Sequence, residues 1–327
     1  MDRIFFSSTY FGENGPNEVN RNLVENFPKD SVSYLHCKNR YLIRLETLLK
    51  ILWCRVLIIS ALGQKDYEVR FAKALGKKII YIMHGFAEDD SEYLKARQDY
   101  LFPRTDLILC VSEPFKELVA ERYPELEGRL GVLYNGIAWE KIDNAISGIN
   151  VQRDHNEIAL IGGGRLIKKN LNVCKAIQKI NDETGTKLHV SVYGPYSCDD
   201  ESKEISEFDC VTFVGLIPHQ KLLENLCATN ILVQASLSES FGLSVVEALI
   251  CGCNIVVSKN VGAIGVIPAI SDIEMIENPN DICEITQKIQ NVLKKPNNKH
   301  ILDSIDKQDT TLKAASCKLV SIANTLI

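Results

Sequence analysis

Residues 230–258 read NILVQASLSESFGLSVVEALICGCNIVVS. An apolar, β-rich run at 231–233 passes into a loop of small residues, 235–242, and a helix starts near Leu243 with Val246, Leu249 and Ile250 on its inner face. A second apolar run, 254–258, closes the unit, and strand–loop–helix–strand of this length is the parallel α/β repeat. The N–H groups of the helix's first turn lack intrahelical partners and point to the carboxyl edge of the sheet, which makes an anion site with phosphate as its usual occupant. Two carboxylates frame this site, Glu239 in the loop and Glu247 on the helix. A carboxylate one turn into the helix cannot favour a phosphate. Accepting from two neighbouring ribose hydroxyls suits Glu247, as for the acidic residue of dinucleotide folds. Taken alone, the spacing also fits a surface glutamate and a helix-capping one.

Outward from this stretch, short apolar runs alternate with helical patterns along almost the whole chain. Strands are expected at 4–7, 32–36, 56–60, 78–83, 106–111 and 131–134, then at 157–161, 187–193, 211–214, 230–235 and 254–258. Helices are expected between them, among others at 18–27, 40–53 and 67–75. Runs so continuously apolar belong to parallel sheets covered on both faces. A polar stretch with turn signals, 139–156, separates the two series and is expected to be a linker. The chain of 327 residues therefore divides into two Rossmann-like α/β domains, 1–138 and 139–308, followed by a terminal helix over 309–327.

Composition narrows the function. A net charge of −5 argues against a general nucleic-acid binder. No signal peptide is legible at the N-terminus, and the longest apolar stretch, 41–62, is interrupted by Arg44, Glu46, Lys50 and Arg55, so no membrane span is expected. The eleven cysteines are scattered, with only the Cys251–x–Cys253 pair close, and read as reduced, small buried hydrophobes of a cytoplasmic protein.

Three further stretches carry chemistry. Residues 161–170, IGGGRLIKKN, lack the third glycine and the downstream acid of a dinucleotide fingerprint. Arg165 with Lys168 or Lys169 instead suits a diphosphate clamp, because a departing nucleoside diphosphate gathers negative charge. Residues 81–86, YIMHGF, put His84 at the carboxyl end of a strand, where α/β sheets bind ligands. Residues 11–17, FGENGPN, contain Gly12 and Gly15, which allow close approach to a phosphate or sugar or simply make a turn.

The ordered series YNGI, GGGR-L, VYGP, VTFVG, the Glu239–x7–Glu247 segment and VVSKNVG resembles the retaining family-4 glycosyltransferases, two-domain enzymes of the GT-B fold. The resemblance covers nearly the whole chain but is specific from Asn135 to about Val266. It implies two Rossmann-like domains facing a central cleft, with the terminal helix crossing back to the N-domain, which binds the acceptor. It also implies residue roles. Glu239 contacts the donor sugar, Glu247 the ribose, and the loop around Ser240, Phe241, Gly242 and Leu243 the sugar and diphosphate. Arg165 and Lys169, with Gly164, hold the diphosphate; Lys169 is preferred over Lys168 because Asn170 stands where the family has glycine. Ile217 lies in the turn near the nucleobase, Gly15 in the first glycine loop, and His84 beside the donor sugar and acceptor hydroxyl.

The activity implied is transfer of a glycosyl unit from a nucleoside-diphosphate sugar, UDP first and GDP second, to a hydroxyl of a glycan or lipid-linked acceptor in bacterial polysaccharide biosynthesis. Configuration would be retained by a front-face route. No cofactor and no metal are expected, since no metal-chelating Asp-x-Asp stands at a strand end; Glu88–Asp89–Asp90 begins an expected helix and Asp199–Asp200 lies in a polar loop. Residues 40–55 form an amphipathic helix pattern with Arg40, Arg44, Lys50 and Arg55 against Glu46. Such a helix packs on the N-domain sheet with a solvated basic edge, the commoner case, or rests on the inner face of the cell membrane. The competing activities are a nucleotide-sugar epimerase of the same architecture and a non-catalytic sugar-binding partner subunit.

Overall fold

The computed structural model describes residues 3–8, 15–37, 39–60, 66–86, 92–196 and 200–327. They divide into two compact units, residues 1–137 with 307–327 and residues 138–306.

In the first unit strands and helices alternate: β1 (Ile4–Phe6), α1 (Gly15–Asn26), β2 (Ser33–Tyr34), α2 (Arg40–Trp53), β3 (Val56–Ser60), α3 (Asp66–Ala74), β4 (Lys78–Met83), α4 (Glu92–Leu101), β5 (Leu107–Cys110), α5 (Glu113–Arg122) and β6 (Leu130–Val132). All the strands pair in parallel in the order β2-β1-β3-β4-β5-β6. Phe5, Phe6, Leu57, Ile58, Ile80 and Ile82 are almost wholly buried, as expected for strands covered on both faces. Side chains set several helix starts. Asn39 accepts from the N–H groups of Tyr41 and Leu42 ahead of α2, and Ser112 from that of Phe115 ahead of α5.

The second unit runs α6 (Trp139–Ile146), β7 (Asp154–Ile161), α7 (Asn170–Thr184), β8 (His189–Tyr193), α8 (Asp200–Ser206), β9 (Val211–Gly215), α9 (His219–Ala228), β10 (Thr229–Gln234), α10 (Leu243–Ile250), β11 (Asn254–Ser258), β12 (Met275–Ile276), α11 (Ile282–Lys294) and α12 (Asn298–Ser304). Its parallel sheet has the order β12-β11-β10-β7-β8-β9. Connections leave β7 in one direction and β10 in the other, so the point where the winding reverses lies between these neighbours. Open α/β sheets bind ligands at the carboxyl edge of such a point. Ile158, Leu160, Val190, Val192, Ile231 and Val233 form the core with Val173 and Ile177 of α7 and Ile285 and Ile289 of α11.

The chain then returns to the first unit through α13 (Leu312–Asn324), whose start is capped by Thr311. This helix packs on α1; Ser316 Oγ donates to the Leu23 carbonyl (3.2 Å) and Ile137 N–H to that of Thr310 (2.7 Å).

The expected linker over 139–156 is corrected by α6 and by an earlier start of β7. Trp139 and Ile142, three residues apart, are buried against α9 and α10, and this apolar spacing outweighs the polar residues around it. The short edge strand β12 was not expected from the sequence. Half of the ten described cysteines are buried, and burial pushes the Cys54 thiol up to about 11 and those of Cys110, Cys174 and Cys253 to about 12; Cys283 and Cys317 are exposed.

Candidate active site

The loops that follow β7 and β10 meet at the reversal of the second sheet. Leu237 N–H donates to the Ile167 carbonyl (2.8 Å), which ties the β10 loop to the single 3-10 turn at 166–168. On its other side the loop is held by the segment after β11. Glu239 N–H donates to Asn260 O (3.1 Å), and Gly262 N–H to Glu239 O (2.9 Å). These backbone bonds fix the position of Glu239 before its side chain is considered.

That side chain is in an ion pair with Lys168, whose ammonium reaches Glu239 Oε2 although the lysine is almost fully buried. Gln234 Nε2 donates to the same oxygen (3.2 Å), while Gln234 Oε1 accepts from Ser244 Oγ (3.1 Å). Because Gln234 is buried at the end of β10, this chain runs from α10 through the strand to Glu239 and on to Lys168. The half-buried Glu239 carboxylate is thus kept partnered from two sides.

The glycine run before Lys168 serves packing. Gly162 and Gly163 N–H both donate to Tyr193 O (2.8 Å each), and Gly164 N–H to Pro195 O (3.4 Å). Gly162 adopts φ +113°, and a Cβ there would fall 2.8 Å from Lys168 Cε, so the lysine stem lies where a side chain would stand. Arg165 is exposed and its Nε donates to the Gly162 carbonyl (3.1 Å), which folds the guanidinium back onto the glycine loop. Lys169 is half-buried with left-handed backbone (φ 54°, ψ 30°). The structure thus brings Lys168, and not Lys169, onto Glu239. Asn170, at the place where glycine was expected from the resemblance, donates to Gly163 O (2.6 Å) and locks the loop onto α7.

Helix α10 starts at Leu243 behind Gly242 (φ +87°), with no side-chain cap. Val245 N–H turns back to Gly242 O (3.0 Å), and the N–H groups of Leu243 and Ser244 have no acceptor among the described residues. Phe241 is buried and its carbonyl accepts from Ala263 N–H (2.6 Å). Ser240 is half-buried beside it. One turn on, Glu247 Oε1 accepts from Nε2 of His219 (3.0 Å), the first residue of α9. Ile217, two residues before, is half-exposed. Sequence reasoning weighed Lys168 only as the alternative to Lys169 and assigned no side-chain role to His219 or Gln234. His219 could have been suspected only from the Ile217–Pro218–His219 turn, and Gln234 only as the one strongly polar side chain ending an apolar strand.

His84 belongs to the first unit, after β4. Its Nε2 lies 2.7 Å from Ser60 Oγ, which donates to the buried Asn20 Oδ1 (2.5 Å); Ser60 N–H donates to Ser8 Oγ. With the serine proton committed to Asn20, Nε2 carries the imidazole proton, and Nδ1 is left as an acceptor with no partner among the described residues. Burial pulls the His84 pKa down to about 4, so the ring is neutral near pH 7. Gly15 opens α1. Gly12, the Glu88–Asp89–Asp90 run and Asp199 lie outside the described residues.

Two parallel sheets of this kind, each flanked by helices, have the GT-B architecture, and solved structures agree in fold. A glycosyltransferase from Rickettsia africae superimposes with a TM-score of 0.69 at 14% identity, covering 99% of this chain and 98% of that one. HepE from Anabaena, solved in complex with UDP and glucose, gives 0.67 at 11% identity, covering 99% and 100%. The glycosyl transferases group 1 profile matches residues 145–309, and the chain belongs to that family. A curated relative, the phosphatidylinositol N-acetylglucosaminyltransferase GPI3 subunit of Saccharomyces cerevisiae, is 25% identical over 240 residues, 68% of this chain and 52% of the relative. The chain thus spans about half the length of that relative.

Proposed function

We propose that the protein is a retaining, metal-independent glycosyltransferase of the family-4, Glu-x7-Glu type. It moves a sugar from a nucleoside diphosphate, UDP before GDP, to a hydroxyl of a glycan or lipid-linked acceptor. The observation that carries this reading is the Lys168–Glu239 pair beside the open N–H groups of Leu243 and Ser244. A diphosphate seated on those groups adds an anion for which Lys168 and Arg165 are the nearby cations. As the glycosidic bond loosens, these groups stabilise the charge that gathers on the leaving oxygen, which takes the acceptor's proton on the same face. Losing one such group commonly costs on the order of 10²-fold in rate. Glu239, relieved of part of its ion pair, turns to the sugar hydroxyls, and Glu247 takes the ribose. Neutral His84 offers one acceptor nitrogen to a sugar hydroxyl. The resemblance placed Lys169 on the diphosphate; Lys168 is the better candidate because its charge is the one brought to Glu239. UDP in the Anabaena HepE structure supports the choice of base, and the phosphatidylinositol in the yeast relative's name supports a lipid acceptor.

Thermal unfolding against UDP, GDP, ADP and dTDP, each with EDTA and then with Mg²⁺, tests the reading, since a ligand of the native state raises stability by RT ln(1 + [L]/Kd). UDP is expected to stabilise the protein equally under both conditions. The shift should vanish in Glu247→Ala, shrink strongly in Lys168→Met and survive largely in Lys169→Met. Absence of a shift with every nucleotide would overturn the proposal and leave the partner-subunit reading in front.

A further inference from the structure

Helix α2 buries one side and leaves an apolar stripe on the other. Thr47 and Ile51 are fully buried towards the sheet, and the helix packs on α3. Tyr41, Leu42, Leu45, Leu49, Leu52 and Trp53 are exposed, from 47% for Leu52 to 76% for Tyr41. At helical spacing these six share an arc of about 120° on the solvent side, where charged residues are the norm. The two aromatic residues stand at opposite ends of the stripe, about 18 Å apart along the axis. Two of the six, Leu49 and Trp53, continue into a surface groove of about 980 Å³ that they line with Val24 and Phe27 and with charges of both signs, Glu25, Asp30, Lys29 and Lys50.

The charges beside the stripe select the occupant. Residues 40–55 hold Arg40, Arg44, Lys50 and Arg55 against one acid in a chain whose net charge is −5. That acid, Glu46, is occupied by Lys50 (3.1 Å) and by the N–H groups of His36 and Cys37 (3.0 Å each). Lys77 adds a further cation at the helix's end, donating to Leu52 O (3.0 Å). Two copies of this face would set arginine against arginine. An anionic surface would be attracted, and aromatic side chains at both ends of an apolar stripe suit the headgroup boundary of a bilayer.

We propose that this face docks the protein on an anionic phospholipid bilayer, with the apolar stripe sunk to the headgroup–acyl boundary and Arg44 and Arg55 among the phosphates. The inference goes beyond the donor reaction and does not depend on it. The helix packs within its own unit and leaves Arg44 and Arg55 exposed, as expected for a packed helix with a basic edge; the apolar solvent-facing arc is the feature this expectation did not include. No described helix is long and apolar enough to cross a membrane, so the contact is one of lying on the surface.

Co-sedimentation of the full chain with vesicles of phosphatidylcholine, alone or mixed with phosphatidylglycerol, tests it. Binding is expected to the mixed vesicles, to weaken with added salt, and to be poor to phosphatidylcholine alone. The double variant Leu45→Ser/Leu49→Ser and the charge reversal Arg44→Glu should each reduce the partition coefficient by about tenfold or more. All of these side chains are exposed, so thermal unfolding and the UDP shift should stay as in the parent protein. A lost vesicle interaction with the UDP shift intact concerns α2 alone, and the reverse concerns the donor site alone. Failure to bind mixed vesicles, or equal binding by the variants, would overturn the proposal. So would self-association on size-exclusion chromatography that the variants abolish without any vesicle binding, which would give the face to a second copy.

Discussion

His84 and Lys168 are both ionisable groups taken out of water, and the surroundings treat them in opposite ways. Lys168 is paired with the Glu239 carboxylate, whereas the partner of His84 among the described residues is the Ser60 hydroxyl, and burial leaves its ring neutral. A consequence follows for pH. The His84 pKa lies at about 4 in the folded chain against an ordinary 6.5, so between these values the unfolded chain binds a proton that the folded chain refuses. Stability contributed by the neutral ring is therefore complete above pH 6.5 and falls as the pH drops towards 4. Thermal unfolding across that window should show a slope that becomes shallower in His84→Gln; identical slopes would mean that His84 titrates normally. At this scale the sequence was a partial guide. Glu239, Glu247 and Arg165 could be singled out from the loop–helix pattern, but the register of two adjacent lysines could not, because Gly162's backbone and the 3-10 turn decide which stem is carried inward. The His219–Glu247 contact joins residues 28 positions apart and has no local signature.

Among the elements, α10 illustrates how a loop is made to end in an open helix start. Gly242 must be left-handed for the chain to enter the helix with its amides outward, and a Cβ there would lie 3.0 Å from Val261 Cγ1 and 3.1 Å from Glu239 Cγ. Gly242→Ala is expected to destabilise the second unit by about 1–2 kcal/mol through the left-handed backbone alone. It should also weaken UDP binding, because the displaced atoms belong to the Glu239 side chain; calorimetry and titration on the same sample read both. Wild-type binding by the variant would separate Gly242 from the site. Long buried strands were legible because both faces of a parallel sheet demand apolar residues, and β3, β4 and β11 agree with the expected bounds. Elements whose existence rests on tertiary contacts were not legible. Two-residue β12 carries too little pattern, and α6 is held by Trp139 and Ile142 within an otherwise polar run.

For the molecule as a whole, the division into units differs in kind between the two halves. Residues 138–306 form one uninterrupted stretch with its own core, while the first unit is assembled from 1–137 and 307–327. Two parallel sheets and a terminal helix pattern were readable from the alternation of apolar runs; which unit claims the terminal helix depends on its contacts with α1. The continuous piece, residues 138–306, should fold when expressed alone and retain a UDP-dependent rise in unfolding temperature, since the Lys168–Glu239 pair, α10 and Glu247 all lie within it. A fragment that folds without responding to UDP, under conditions where the full chain responds, would show that the first unit contributes directly to nucleotide binding. The split of the first unit also sets an order of events at the ribosome. Its opening 137 residues emerge first yet lack α13, the helix that covers α1, until the entire second unit has been made. The split unit is thus completed only after residues 138–306 have been made, and until then α1 lacks the helix that covers it.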